Sequence, residues 1–177
     1  MLWLFRDRES TVANKKMGEL LDAIQNQDKN TMIELFAPNA LQQVSDVDAV
    51  IQELFTYCPY EVCSYDSWTG AGPRVEKEFH DGQTIELMYF TYDVQTTGGI
   101  YRFAVKYVSI DTECTENVGI WSVYVIDWDD DTDVSYAYLG DRQYTTGIHV
   151  GVQNVLPEVH SGTVPCPDAS KETRPRE

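Results

Sequence analysis

Apolar residues recur at helical spacing in the first third of the chain. Three segments show this period, at residues 10–28, 28–37 and 45–57. Each segment opens with a residue suited to capping a helix, namely Ser10 or Thr11, then Asp28, then Ser45 in a capping box with Asp48. Pro38 and Pro59 mark the ends of the second and third segments. The pattern predicts three N-terminal helices.

After Pro59 the apolar period changes from helical spacing to two. Five segments alternate in this way and are separated by short polar or glycine-rich turns, at residues 60–69, 74–80, 83–96, 99–111 and 117–128. Short turns between consecutive strands favour antiparallel pairing. Residues 134–152 could add an edge strand or a covering loop. The pattern therefore predicts an antiparallel sheet.

The fourth strand segment indicates which of its faces is buried. One face carries Tyr101, Phe103, Val105 and Tyr107. Arg102 and Lys106 lie on the other face, which we expect to be the solvent side. Such one-sided alternation is typical of a sheet that is covered by helices on one face.

Helices followed by strands indicate the α+β class. We expect three N-terminal helices packed on a curved, antiparallel sheet of about five to six strands. Residues 1–9 form an N-terminal extension in this interpretation, and residues 10–152 form the single domain. Residues 153–177 are rich in proline and polar residues, so we expect a disordered tail.

Composition limits the classes of partner. The 177 residues suffice for one domain, and 29 acidic against 13 basic side chains give a net charge of -16. This charge repels a phosphate backbone, so we expect no nucleic-acid partner. The longest apolar run at the start ends at Arg6, which is too short for a membrane span. We leave a homodimer open.

The acidic run at residues 127–133 raises the question of a metal site. Five of its seven residues are aspartate. A calcium loop of the helix-loop-helix type needs glycine at its sixth position and glutamate at its twelfth. Counting from Asp127 or from Asp129 gives neither residue at its required place. We therefore interpret the run as a solvated acidic turn and expect no metal.

The four cysteines leave several states open. Cys58, Cys63, Cys114 and Cys166 permit three pairings, and no two of them form a C-x-x-C pair of the zinc-binding type. Buried or free thiols are one interpretation. A Cys58–Cys63 bridge that closes a helix-to-strand corner is another.

Motifs in both halves of the chain resemble a family of bacterial lipoproteins that is described as a domain of unknown function. The resemblance covers roughly residues 10–150. Its motifs are a D/N-K-x5-L-F helix, a G-x-Y-R strand and an I-D-T-x5-V-G-I segment. Here these correspond to Asp28, Lys29, Leu35 and Phe36, then Gly99, Tyr101 and Arg102, then Ile110, Asp111, Thr112, Val118, Gly119 and Ile120.

The resemblance implies a cone-shaped fold like that of nuclear transport factor 2, with a cavity between a bent sheet and its helices. It also implies attachment to the outer face of a bacterial membrane through a lipidated N-terminal cysteine. No cysteine precedes Cys58, so we expect any such anchor to lie outside this chain. Localisation at the extracellular surface is the expectation, with the cytoplasm as the alternative.

A cone of this kind makes aromatic residues on the strands candidate ligand contacts. These candidates are Trp68, Tyr89, Tyr101, Tyr107, Trp121 and Tyr124, although packing as core or surface aromatics is the more ordinary explanation. Enzymes on related folds use a buried carboxylate, for which Asp66, Asp93 and Asp111 are the weak candidates. The three histidines lie far apart, and the sequence carries no phosphate-binding glycine pattern. We expect no cofactor.

These observations favour a non-enzymatic, surface-associated binding or accessory domain whose pocket holds a small molecule or a protein partner. The alternative is a small-molecule isomerase, lyase or hydrolase that uses a buried carboxylate in the cone. A fold alone does not confer such chemistry, so the geometry of the carboxylates must decide between them.

Because we interpret the acidic run as solvated, calcium should leave the midpoint of thermal unfolding unchanged. A cation that binds only the folded state would raise that midpoint. Scanning fluorimetry with millimolar calcium checks this, with millimolar magnesium as the control for general charge screening. A rise with calcium alone would contradict the interpretation of the run as a merely solvated turn.

Overall fold

The computed structural model describes residues 2–68, 70, 72–129 and 145–151, with side chains described from residue 8 onward. These residues form an α+β domain in which the helices precede the strands. The helices are α1 (Leu2–Gln25), α2 (Lys29–Leu35), α3 (Pro38–Leu41) and α4 (Val47–Tyr57). The strands are β1 (Val62–Ser67), β2 (Arg74–His80), β3 (Gln83–Thr96), β4 (Ile100–Asp111), β5 (Gly119–Asp127) and β6 (Gly147–Val150), with a 3-10 turn at Thr115–Asn117.

The helical region differs from its prediction in three respects. The described part holds four α-helices rather than three, because Pro38 opens the short α3 as well as following α2. Helix α1 begins at Leu2, so the predicted caps at Ser10 and Thr11 are wrong. The cap of α4 is Asp46 rather than Ser45, since the Asp46 carboxylate accepts from the Ala49 amide at 3.0 Å.

The predicted cap of α2 is confirmed. The Asp28 carboxylate accepts from the Thr31 amide at 3.1 Å and from the Thr31 hydroxyl at 2.7 Å. These bonds to the charged form lower the pKa of Asp28. Lys29 then reaches across to Asp48 on α4 at 2.6 Å. The D-K motif therefore starts α2 and ties it to its neighbouring helix.

All five predicted strand segments form strands of one open sheet in the order β1-β3-β4-β5-β6. The long β3 also pairs with β2, so β1 and β2 occupy successive halves of the same edge of β3. Strand β1 pairs with the C-terminal end of β3, and β2 pairs with its N-terminal end. The strand pairing along this edge of β3 is thus interrupted between Ser67, where β1 ends, and Arg74, where β2 begins.

The prediction of a wholly antiparallel sheet is wrong at one edge. Strand β6 forms, as one of the two expectations for residues 134–152 allowed, but it pairs with β5 in parallel. Parallel neighbours require a connection of about a dozen residues or more that returns the chain to the starting end. Residues 128–146 separate β5 from β6 and meet this requirement. The sheet is therefore mixed.

Helices cover one face of the sheet and form the main core with it. The inward residues of β3, β4 and β5 pack against apolar residues of α1, α2 and α4, including Met17, Leu20, Met32, Leu54, Phe103, Val105 and Val123. Tyr101 and Tyr107 belong to this face, as the alternation predicts. Their burial agrees with the predicted inner face of β4.

The prediction that Arg102 and Lys106 face solvent is wrong. Both side chains are buried, and Arg102 is only 2% exposed. The Arg102 guanidinium lies 4.6 Å from the Trp68 ring centre and 4.8 Å from that of Trp128. The Lys106 ammonium lies 5.7 Å from the Trp121 ring centre. Aromatic rings thus cover the cations of β4 on the face away from the helices.

A buried polar network joins the end of β4 to α3. The Asp111 carboxylate accepts from the Glu113 and Cys114 amides at 3.0 and 2.8 Å, and from the Asn117 side chain at 2.8 Å. The Asn117 side chain in turn accepts from Asn39 on α3 at 2.8 Å. Every partner is hydrogen-bonded, which offsets the cost of burying these groups.

Gly119 allows the chain after α2 to touch the start of β5. Its φ is +140°, and a Cβ at this position would lie 2.4 Å from the Ala37 amide nitrogen. The close approach lets Ala37 donate a hydrogen bond to the Ile120 carbonyl at 3.0 Å. The V-G-I motif therefore has a steric reason, since only glycine fits both the backbone angle and the gap.

The cysteines settle one of the alternatives. Cys58 is a buried free thiol at the end of α4, and Cys63 is an exposed free thiol on β1. A Cys58–Cys63 bridge is therefore not formed. Cys114 is disulfide-bonded, so the interpretation as free thiols is wrong for this residue.

Two further sequence predictions fall on residues that the structure does not describe. Asp130, Asp131, Asp133 and the predicted tail at residues 153–177 lie outside the described residues.

Replacing Gly119 by alanine should lower the free energy of unfolding by about 2–5 kcal/mol, from backbone strain plus overpacking. The matched control is Gly82→Ala, since Gly82 also has a positive φ of +82° but no atom within 4 Å of a Cβ. Strain alone should cost the control about 1–2 kcal/mol. Urea unfolding measures both losses. Equal losses would contradict the proposed contact with Ala37.

Candidate functional site

A cleft of about 510 Å³ lies between α1 and the β1 edge of the sheet. Its lining residues come from α1, β1, β3 and the chain between β1 and β2, and they are Ser10, Asn14, Tyr65, Asp66, Ser67, Gly70, Gly72 and Tyr92. This volume falls within the range of about 300–1,000 Å³ that is typical of small-molecule sites. The cleft follows from the interrupted edge, where the chain leaves the sheet between Ser67 and Arg74.

Strand register indicates which β1 side chains face the cleft. Tyr65 is opposite Val94 and Ser67 is opposite Tyr92, and these β3 partners lie on the helix-facing side. Asp66 is opposite Asp93, whose side chain binds Arg102 on the other face. Directly opposed residues share a face of the sheet. The Asp66 carboxylate is therefore assigned to the face away from the helices, although the residue borders the cleft.

One hydrogen bond and one ring contact fix the floor of the cleft. The Tyr92 hydroxyl donates to the Asn14 side-chain oxygen. Burial, with a smaller effect of Tyr65, raises the pKa of Tyr92 to about 12, so this hydroxyl stays protonated in neutral solution. The Tyr65 ring meets the Tyr92 ring edge-on, with centres 5.8 Å apart. The floor is therefore neutral and held in place.

Several polar groups of the cleft make no hydrogen bond within the part of the chain that the structure describes. They are the hydroxyls of Ser10, Tyr65 and Ser67 and the side-chain amide nitrogen of Asn14. Among the described residues, the Ser122 hydroxyl alone is both buried and without a partner. The cleft groups are therefore reached by solvent, and they can exchange water for a ligand.

The structure does not bring the three predicted carboxylates into one site. Asp93 forms a bidentate ion pair with Arg102, whose Nε and Nη2 atoms lie 2.6 and 3.0 Å from the two carboxylate oxygens. Asp111 is held by three hydrogen bonds in the buried network. Asp66 is exposed beside Asp93. The roles of all three stay predictions, but two of them are already occupied by structural contacts.

The predicted ligand-binding aromatics are divided between the two faces of the sheet. Tyr101 and Tyr107 lie in the core under the helices, where burial raises the pKa of each hydroxyl. On the other face, Trp68 stacks on Arg102, Tyr89 lies 4.2 Å from Arg74, Trp121 is buried near Lys106, and Tyr124 stacks on His149 at 4.5 Å. None of the six lines the cleft, and their ligand role stays a prediction.

Sequence reasoning named Asp66 but missed the other residues that line the cleft. Tyr65 and Ser67 are two apart on a strand, and Ser10 and Asn14 are four apart on a helix, so each pair shares a face. These spacings were visible in the sequence. Tyr92 gave the same signal on β3, because it lies two residues from Phe90 and Val94 on the inner face. The sequence analysis did not predict that the interruption between β1 and β2 opens a cleft beside α1.

The described residues carry neither a metal-ligand group nor a helix suited to cross a bilayer. Within them, no group of three or more His, Cys, Asp or Glu side chains is arranged to hold a metal ion. The described helices include none with the length and apolar character needed to span a bilayer.

A smaller hollow of about 200 Å³ lies beside Cys58, where burial raises the pKa of the thiol to about 12.

The Asp93–Arg102 pair predicts a contrast between two neighbouring carboxylates. Asp93→Asn should lower the free energy of unfolding by about 2–3 kcal/mol, because it removes the ion pair between the Asp93 carboxylate and the buried Arg102 guanidinium. Asp66→Asn should change it by less than about 0.5 kcal/mol, since this exposed carboxylate only opposes Asp93. Urea unfolding compares the two variants. A similar loss in both would show that the ion pair does not stabilise the sheet.

Comparison with known proteins gives a family. No curated protein matches the chain significantly. A family model described as a domain of unknown function, DUF5104, matches residues 19–128, which run from the last third of α1 to one residue beyond β5. The matched range contains the residues of the Asp111 network and both sides of the contact between Gly119 and Ala37. With most of its length matched, the chain belongs to the DUF5104 family.

Proposed function

We propose that this protein is a non-enzymatic binding domain that holds a small polar molecule in the cleft between α1 and β1. The observation that carries the proposal is the set of unpartnered polar groups around one cavity of about 510 Å³. Binding sites place a few polar groups in a concave surface so that the ligand is oriented as it enters. Here the groups come from two elements, α1 and β1, and both elements pack on the core.

The proposal includes a cone of the nuclear transport factor 2 type. Two features support it: helices lie on one face of the sheet, and the cleft opens between α1 and that face. In such a cone the ligand enters between the helices and the sheet. The buried Asp111 network then has the role of holding α3 against β5 while the β1 side stays open.

We further propose that the domain works at the extracellular surface of a bacterial cell, attached through a lipid anchor. The disulfide at Cys114 supports an oxidising compartment, because disulfides are rare in the cytosol. The resemblance to lipoproteins supports the anchor. A net charge of -16 keeps such a domain soluble and away from anionic lipid surfaces.

Catalysis by a buried carboxylate receives less support. A general base must reach the proton that it removes and must be free to accept it. Asp93 is bound to Arg102, Asp111 is bound within its own turn, and the register assigns Asp66 to the face away from the cleft. An isomerase, lyase or hydrolase therefore lacks a supporting observation on the described residues.

Blocking the cleft tests the proposed function. Ser10→Trp should fill the cleft from α1 and weaken ligand binding at least tenfold, because Ser10 is part of its wall. Lys15→Trp is the matched control, since the Lys15 side chain is 71% exposed on the same helix. Crystals of each variant are soaked with a mixed set of neutral alcohols and amides, amines and carboxylates.

Density for soaked compounds should occupy the cleft in the wild type and in Lys15→Trp, and should be absent from it in Ser10→Trp. Thermal unfolding of both variants should stay near that of the wild type. Compounds bound only at other places on the wild-type protein would contradict the proposal. Unchanged occupancy in Ser10→Trp would contradict it as well.

A further inference from the structure

The chemistry of the cleft wall restricts the charge of its ligand. Among the described lining residues, Asp66 is the only charged one, and its strand register assigns the carboxylate to the opposite face. No lysine, arginine or histidine is among them. An anion would meet a protein of net charge -16 without a local cation to bind it. A cation would lack a facing carboxylate. The wall therefore favours an uncharged ligand.

The unpartnered groups also restrict the polar pattern of that ligand. Three of them are hydroxyls, at Ser10, Tyr65 and Ser67, and each can donate one hydrogen bond and accept others. The Asn14 amide nitrogen adds donors, because its oxygen is already used by Tyr92. A ligand that carries several hydroxyls matches this pattern, since each of its hydroxyls also donates and accepts.

Tyr65 gives the cleft an apolar surface beside these polar groups. Its ring is half-buried and is held edge-on by Tyr92. Its hydroxyl lies so close to α1 that a Cβ on Gly18 would be 3.1 Å away, so the side chain is confined between helix and strand. A tyrosine ring with a polar tip suits a ligand that has both an apolar face and polar edges.

Resting on the proposed function, we propose that the ligand of this cleft is an uncharged, polyhydroxylated ring compound of the sugar class. Its ring hydrogens would pack on Tyr65, and its hydroxyls would bond to Ser10, Ser67 and Asn14. The neutral wall and the donor–acceptor hydroxyls together carry this assignment. Charged sugars fit the wall less well, because no lining side chain compensates their charge.

Three probes that share one ring test the charge of the ligand. The full chain, labelled with nitrogen-15, is titrated at neutral pH with methyl glucoside, with glucosamine as the cationic analogue and with glucuronate as the anionic analogue. Methyl glucoside should shift the amide signals of Tyr65, Ser67, Gly70 and Gly72. Glucuronate should bind at least tenfold more weakly. Added sodium chloride should leave the affinity for methyl glucoside unchanged, because no ion pair is involved.

Single substitutions test whether the named side chains make the contacts. Tyr65→Ala should weaken methyl glucoside binding at least tenfold, and Tyr65→Phe, which keeps the ring, should weaken it less. Ser67→Ala should weaken it about three- to tenfold, the usual effect of one lost hydrogen bond. Ser64→Ala is the control, because Ser64 lies on the same strand outside the cleft. If Tyr65→Ala fails to fold, Tyr65→Phe and Ser67→Ala still test the contacts.

Each result separates this inference from the proposed function. Glucosamine binding ten times more tightly than methyl glucoside, with loss of that binding in salt, would overturn the uncharged ligand and identify a cation site. Absence of binding by all three probes, while soaked compounds of another class occupy the cleft, would overturn the sugar class alone. Sugar binding that survives both Tyr65→Ala and Ser67→Ala would place the ligand elsewhere. An empty cleft in both experiments would overturn both proposals.

Discussion

The close contact between Gly119 and the chain at Ala37 is the constraint on which the arrangement of the domain depends. It brings the end of the helical layer within hydrogen-bonding distance of β5 through the Ala37–Ile120 bond. Asn39 and Asn117 then extend this contact to Asp111 at the end of β4. Because these groups are buried and hydrogen-bonded, α3 is held against this end of the sheet, whereas the cleft lies toward the other end.

Strand β4 carries the second constraint, because both of its faces are buried. Apolar residues on one face pack under the helices, whereas Arg102 on the other is held by Asp93 and two tryptophan rings. An unpaired guanidinium in that position would be costly, so Asp93 is bound to it as a structural partner. The ion pair explains why a carboxylate in the middle of a strand is not available to act as a base.

Periodicity predicted those parts of the fold that depend on local pattern. The five strands, the Asp28 cap and the inner face of β4 follow from neighbours along the chain. The parallel β6, the cover over Arg102 and the cleft depend on residues that are distant in sequence, such as Trp68 and Trp128 against Arg102. A cationic residue in an alternating strand pattern looks the same in sequence whether water or an aromatic ring covers its side chain. The burial of Arg102 could therefore not be predicted from the pattern alone.

The cleft is a consequence of unequal strand lengths. Strand β3 has 14 residues, whereas β1 and β2 have 6 and 7, so two short strands with a gap between them cover one long edge. The chain in that gap leaves the sheet, and α1 faces the resulting hollow with Ser10 and Asn14. The register of β1 then assigns Tyr65 and Ser67 to the helix-facing side that borders the hollow, and the Asp66 carboxylate to the other side. A strongly acidic protein thus has a cleft whose described lining carries no charged residue other than Asp66, and strand register assigns that carboxylate to the other face.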